Sequence, residues 1–324
     1  MNATSKKKIA LIGECMIQLQ LDANKQIQKS YSGDTLNTAV YLARLEHIHN
    51  TEVHYVTALG TDDFSDEMVQ QWQAEGIHCD SVRRLDGELP GMYYINVDEQ
   101  GERSFMYWRS EAAAKKLLAA TTTPALTSLA EFNYIYLSGI SLAILPAEDR
   151  KKLVKLLSDA RAQGSKICFD NNFRPRLWQS KDEAQKWYKE LLSITDTAIL
   201  TYDDEQDLWG DTSTDQTKAR CKECGIKEII IKRGSEPCLI ESNDFTGEVA
   251  AQKVAKEQVV DTTAAGDSFS AGYMAGVLTE TAKPNQSAAV GHLVAGTVIQ
   301  HLGGVIDKKP IQNLENTIKE ALKA

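Results

Sequence analysis

Nothing in the sequence approaches the run of about 18 apolar residues that a membrane helix needs, so no membrane span is expected. Lysines open the chain, but in MNATSKKKIALIGE the apolar stretch behind them is cut short by Gly13 and Glu14. That pattern fits a first β-strand with a solvated tail rather than a signal peptide, and the expected location is the cytoplasm. Positive charge is scarce too: 36 Lys and Arg stand against 45 Asp and Glu, for a net charge of −9. Phosphate backbones need clustered cations, so no nucleic-acid partner is expected. Any anionic ligand must meet a few cations placed where it binds.

Cysteine is sparse and dispersed: Cys15, Cys79, Cys168, Cys221, Cys224 and Cys238. Cys221 and Cys224 form a C-x-x-C, but no second pair stands at zinc-finger spacing and no His follows closely, so they read as ordinary thiols. The six histidines form no H-E-x-x-H, and His47 and His49 read as residues of a solvated loop. A G-x-x-x-x-G-K-[ST] phosphate loop is missing. So is G-x-G-x-x-G, since the first strand ends in GECMIQ, which counts against a dinucleotide-dependent dehydrogenase. Repeats, low-complexity tracts and Pro/Gly/Ser-rich linkers are absent as well, which favours one continuous architecture over residues 1–324.

What is there alternates. Short apolar runs (9–13, 53–59, 134–139, 166–170, 197–200 and 228–232) are separated by helix-length amphipathic stretches near 35–46, 63–75, 147–163, 181–193 and 214–224. Strands apolar on both faces and spaced by helices predict a mostly parallel sheet with helices on both sides, an α/β fold. Ligands of such sheets bind beyond the carboxyl ends of the strands. GMYYINVDEQGERSFMYWR (91–109) breaks the rhythm and predicts a β-hairpin with DEQG at its tip. Period-two alternation groups Tyr93, Ile95 and Val97, and likewise Phe105, Tyr107 and Arg109. CMIQLQLD (15–22) also alternates. These short strands form either a separate small sheet, suited to be a lid, or an antiparallel edge of the main one.

DTTAAGDSF (261–269) stands where helical spacing begins. A lone Asp before a helix is usually a cap. Here Ala264, Ala265 and Gly266 leave the backbone bare, so amides at a helix N-terminus can meet an anion. A carboxylate at the same point, Asp267, would repel that anion unless it faced a hydroxyl. An anion hole beside a carboxylate is what phosphoryl transfer to an alcohol requires.

DTTAAGDSFSAG resembles the C-terminal signature of the ribokinase-like carbohydrate kinases, and YSGDTLNTAVYLARL resembles a second signature of that family. Over nearly the full chain, GECMIQL, VHYVTALGTD, YLSGISLAIL and FDNNFRPRLW resemble the members that act on a keto-deoxy sugar acid. The resemblance implies a three-layer α/β/α sandwich with a small β-sheet lid, about 14–32 and 89–110. It implies ATP and Mg2+, and transfer of a phosphoryl group to the 6-hydroxyl of the sugar acid. By position, Asp267 would be the base and Ala264, Ala265 and Gly266 the anion hole. Gly33, Asp34 and Asn37 would bind the sugar, with Tyr93, Tyr107, Arg109 and Arg174 as further substrate contacts. Lys232, Arg233 and Gly234 would bind nucleotide. Two positions depart from the family. Ala264 replaces a glycine, tolerable if the position avoids positive φ. Tyr202 replaces the Asn of an N-x-x-E, which leaves Glu205 at most a water-mediated part in metal binding. Whether a monovalent cation takes part, and whether the lid joins two copies, stays open.

The residues also argue for an acid by themselves. A sugar acid needs a cation far from the reacting hydroxyl, preferably a bidentate Arg. Arg109 beside Tyr107 fits that role, but fits equally a hairpin salt bridge with Glu102 or Glu111. Arg174 reads alternatively as a structural ion pair, Tyr93 and Tyr107 as packing, Asn37 as solvent-facing, and Asp34 as a helix N-cap. A fructokinase or nucleoside kinase would share the catalytic loop without needing the arginines. A nucleotide-regulated binding protein that has lost catalysis is the rival outside the enzymes.

Overall fold

Alternate residues of a strand face opposite sides of a sheet, and here both sides are apolar. In the computed structural model, which describes residues 6–22, 24–97, 103–120 and 126–323, Ile9, Leu11, Val53 and Tyr55 pack into one core. Ala10, Ile12, Val56 and Ala58, one residue out of step, pack into a second. The sheet between them needs cover on both faces, and helices supply it.

In chain order the strands are β1 (Lys7–Ile12), β2 (Met16–Leu21), β3 (Ile27–Ser32), β4 (Thr51–Leu59), β5 (Val82–Arg84), β6 (Met92–Val97) and β7 (Arg103–Trp108). They continue as β8 (Tyr134–Ser138), β9 (Lys166–Asp170), β10 (Thr197–Thr201), β11 (Glu228–Arg233), β12 (Glu236–Ser242) and β13 (Thr246–Val249). Nine form the main sheet in the order β13-β12-β11-β10-β9-β8-β1-β4-β5. The run from β11 to β5 is parallel, and β12 and β13 close one edge antiparallel. Helices Asp34–Arg44, Asp63–Ala74, Ala265–Leu278 and Pro284–Val298 supply side chains to the first core. Ala147–Ala162, Lys181–Leu192, Tyr202–Trp209 and Thr214–Glu223 supply the second. The result is a three-layer α/β/α sandwich, as expected.

The irregular strands form a separate sheet, β3-β2-β6-β7, not an edge of the main one. β2 runs parallel to β6, and β6 pairs antiparallel with β7, placing Tyr93 opposite Tyr107 and Ile95 opposite Phe105. Tyr93 and Ile95 are buried with Met16. Val97, expected on their face, is exposed near the hairpin end. The DEQG tip and Glu102 lie outside the described residues.

One local expectation fails. His47 and His49 sit in a helical turn, Glu46–His49, and His49 is buried with its Nε2 3.1 Å from Leu42 O. A backbone carbonyl, not water, satisfies it.

Candidate active site

The parallel strands end at a cleft of about 1310 Å3, into which β9 delivers Asp170, β10 Thr201 and β11 Lys232 and Arg233. Opposite them begins the helix Ala265–Leu278, which has no side-chain cap. Its first amide turns back to Thr262 O (3.2 Å), and the Ser268 amide goes to Ala264 O (2.8 Å). Between these two, Gly266 and Asp267 line the cleft at the helix start, where free amides receive anions.

Ala264 corrects an expectation. Its φ is +59° and ψ 16°, in the left-handed region, so the site does not avoid positive φ. The conformation lets the chain turn into the helix, and Ala bears about 1 kcal/mol of strain that glycine would not. Gly266 is different: its φ is not positive, and a Cβ built there meets only Lys232 Nζ, at 3.5 Å. Neither backbone conformation nor protein packing requires a bare residue there. A ligand lying against the backbone would.

Asp267 is partly buried in the wall of the cleft, and Asn37 Nδ2 donates to its Oδ2 at 2.8 Å. Burial, followed by the negative charge of Asp34, pushes its carboxyl up to about 7, against the pull of Asn37. Such a group exchanges a proton near neutrality, as a general base must. Asn37 is therefore not solvent-facing: its Oδ1 accepts from Ser32 Oγ (3.3 Å), so it ties the end of β3 to Asp267.

Behind Gly266, Lys232 Nζ donates to Asp170 Oδ2 at 2.7 Å, and the same oxygen accepts from Ser270 Oγ (2.8 Å) and Tyr136 OH (3.2 Å). This buried ion pair stands beside the helix start, its Nζ 3.5 Å from where a Cβ on Gly266 would lie. Arg233 also lines the cleft, but its guanidinium is occupied by Pro237 O (2.8 Å) and Glu248 Oε1 (2.9 Å). Gly234 follows at φ +61° and lines the cleft too.

Asp34 is not the helix cap expected on pattern alone. Gly33 holds that position, in extended conformation and packed so closely that a Cβ would run into Glu14 O. Asp34 instead accepts from Asn172 Nδ2 at 2.7 Å and lines the cleft. Arg174 lines it as well, half exposed, with Nη1 on Phe173 O (2.8 Å) and 3.7 Å from Asp204 Oδ1. Burial raises Asp204 to about 6, partly offset by Arg174. Glu205 points elsewhere: its two oxygens accept from Asn171 Nδ2 (2.9 Å) and Arg220 Nη2 (2.6 Å).

Tyr93, Tyr107 and Arg109 gather on the small sheet instead. The two tyrosine rings stack at 5.7 Å, and the Arg109 guanidinium lies 5.9 Å from the Tyr107 ring. Among the described residues Arg109 pairs with Glu14 and not with Glu111; the Glu14 side chain is 1% exposed and its other oxygen has no partner among them. Two clusters thus exist, a cleft and a sheet face, and Asn37 stands between them.

Sequence reasoning missed Asp170, Asn172 and Asp204, although FDNN closes β9 and YDDE directly follows β10. It also missed the cleft wall built by Gln252, Val254, Val259, Ala295 and Ile299. Gln252, Val254 and Val259 lie in a largely irregular stretch with no periodicity to betray it, and Ala295 and Ile299 sit at the end of the helix Pro284–Val298.

Residues 6–311 match the model of the pfkB family carbohydrate kinases. Over 305 residues the chain is 50% identical to the 2-dehydro-3-deoxygluconokinase of Escherichia coli, covering 94% of this chain and 98% of the relative. The enzyme of that name from Dickeya dadantii is also 50% identical, over 93% of this chain and 97% of its own. A fructokinase from Xylella fastidiosa, solved with bound ATP, shares the fold at a TM-score of 0.77 and 20% identity, covering 97% of this chain and 99% of the other. A match running from β1 almost to the last helix, on a sandwich whose late helix sets an aspartate in the wall of the cleft, makes this chain a member of the pfkB family of carbohydrate kinases.

Proposed function

We propose that the protein is an ATP-dependent 2-dehydro-3-deoxygluconokinase. It moves the γ-phosphoryl group of ATP to the 6-hydroxyl of 2-keto-3-deoxygluconate, releasing ADP and the 6-phosphorylated acid. The observation that carries the chemistry is Asp267: a partly buried carboxylate raised to about 7, at the uncapped start of a helix, lining the cleft at the ends of the parallel strands. The similarity to enzymes of that name carries the choice of acceptor.

In this reading Asp267 orients the acceptor hydroxyl and takes its proton as the O–P bond forms. The backbone of Ala264, Ala265 and Gly266 holds the migrating phosphoryl oxygens, with Lys232 adding positive charge from behind. Gly33, Asp34 and Asn37 contact the sugar, Tyr93 and Tyr107 cover its carbons, and Arg109 holds the carboxylate. Arg174 reaches either the acid or the phosphates. Gly234 and the wall of Val254, Val259, Ala295 and Ile299 offer the base of the nucleotide small and apolar surface, while Arg233 braces the turn through Glu248.

Mg2+ takes oxygen donors and retains several waters. The carboxylates of Asp34, Asp170 and Asp204 line the cleft and fit it. When bound, the ion neutralises charge on the phosphates. Glu205, with both oxygens engaged, acts through water or by holding Asn171.

The small sheet serves as a lid over the cleft, excluding water that would otherwise waste ATP. Its exposed Ile27, Met106 and Trp108 suit it to meet a second copy. The test is a panel of acceptors with ATP and Mg2+: ketodeoxygluconate, its galacto epimer, gluconate, fructose and ribose. Preference for fructose or ribose over the keto acid refutes the assignment, and absence of any acceptor-dependent ATP consumption refutes catalysis altogether.

A further inference from the structure

At the opposite end of the main sheet from the cleft, three side chains converge that the kinase reading does not use. Glu52 and His54 are two apart near the start of β4 and so share a face. His78, from the segment after the helix Asp63–Ala74, lies directly across from His54 in an isolated parallel bridge. Its backbone is fixed there on both sides, His78 N to Val53 O at 2.8 Å and Tyr55 N to His78 O at 3.0 Å. One ligand atom from each of Glu52, His54 and His78 falls within 4.8 Å of the others.

The His54 ring is buried, its side chain 6% exposed, and its Nε2 has no hydrogen-bond partner. Glu52 Oε2, at 3.5 Å, is at the limit of a hydrogen bond. A buried, unpartnered ring nitrogen is costly and calls for an explanation. The His78 ring stacks on His54 with centroids 4.6 Å apart and is exposed, so its side chain is not held by core packing. The Lys8 ammonium, on the neighbouring strand, is drawn away to Glu131 at 3.1 Å.

We propose that Glu52, His54 and His78 form a binding site for a divalent transition metal of the zinc class. Two imidazoles and one carboxylate, with a fourth position left for water, are a donor set that Zn2+ accepts. Mg2+ and Ca2+, which seek oxygen, do not favour it. The sequence spacing concealed the site, because the two histidines meet only across strands.

The full-length protein, free of nucleotide and Mg2+, is titrated with Zn2+ by calorimetry and with Co2+ by visible absorption. One saturable equivalent is expected. His78→Ala, an exposed change, should weaken binding at least about tenfold, and Glu52→Gln should weaken it less. His54→Gln should do as His78→Ala does, with far-ultraviolet dichroism confirming its fold. Cys79→Ser should leave binding intact, since the neighbouring thiol is not a ligand. The proposal is overturned if wild type binds no stoichiometric Zn2+, if His78→Ala and Glu52→Gln bind as wild type does, or if Cys79→Ser alone removes the ion.

Discussion

Asn37 and Asp267 are joined by a 2.8 Å hydrogen bond across 230 residues of sequence. The bond fixes the carboxylate that would take a proton against the helix that would carry the sugar. Because Asn37 donates to Oδ2, it favours the ionised form, opposing the burial that favours the neutral one. The outcome is a carboxyl near 7 rather than one locked in either state.

Replacing Asp267 by Asn removes the base but preserves shape. Turnover should fall by about 10²- to 10⁴-fold while nucleotide affinity stays near wild type. Steady-state kinetics alongside nucleotide titration check this, and a variant with near-normal kcat removes the assignment.

The same carboxyl predicts two opposite pH responses. Activity needs it ionised, so kcat/KM should rise as pH increases through about 7. Stability should respond the other way. Between about pH 4 and 7 the folded protein holds a proton on Asp267 that the unfolded chain has released, so this group's contribution declines as pH rises through that window. Asp267→Asn, which has no charge to bury, should therefore gain on wild type from pH 5 to 8, by about 1–3 kcal/mol. Urea unfolding of both proteins at the two pH values measures it, and a constant difference would show that Asp267 is ordinary.

Much of this was legible in the sequence, and the part that was not has two physical causes. Apolar runs such as EIIIK declare strands because they must be buried on both faces, and GDSFSAG declares a helix start because small residues precede periodic ones. Partners far apart in the chain leave no such trace. Glu14 lies 95 residues from Arg109, and the hairpin suggested nearer acids instead. Ala264 misled differently: glycine at a left-handed position announces itself, whereas alanine hides it.

Ala264 and Gly266, two residues apart, should respond in opposite ways. Ala264→Gly relieves the left-handed strain but loosens the unfolded chain, so stability should stay level or rise by up to about 1 kcal/mol, with activity retained. Gly266→Ala meets only the tip of Lys232 and should fold normally, yet its methyl would occupy the surface offered to phosphate. Its melting temperature should match wild type while kcat/KM for ATP falls at least about tenfold. If Gly266→Ala is fully active, the backbone there holds no phosphoryl group.

Arg109 needs a variant that separates recognition from stability, because it is paired with a buried acid. Burial pushes Glu14 above the usual carboxylate range, and Arg109 opposes that. Removing Arg109 alone strands the acid, which should cost about 3–5 kcal/mol of stability in addition to any loss of substrate binding. Glu14→Gln removes the stranded charge. The double variant Arg109→Ala/Glu14→Gln should thus recover most of the lost stability but not the preference for an acid. That preference, read as kcat/KM for ketodeoxygluconate over fructose, should drop by about 10- to 100-fold in both Arg109 variants, the worth of a charge-assisted hydrogen bond. Glu14→Gln alone leaves the guanidinium unclaimed and should retain the preference. If the ratio instead recovers along with stability in the double variant, Arg109 only braces Glu14, and the carboxylate is held elsewhere, with Arg174 the remaining cleft-lining arginine not tied to Glu248.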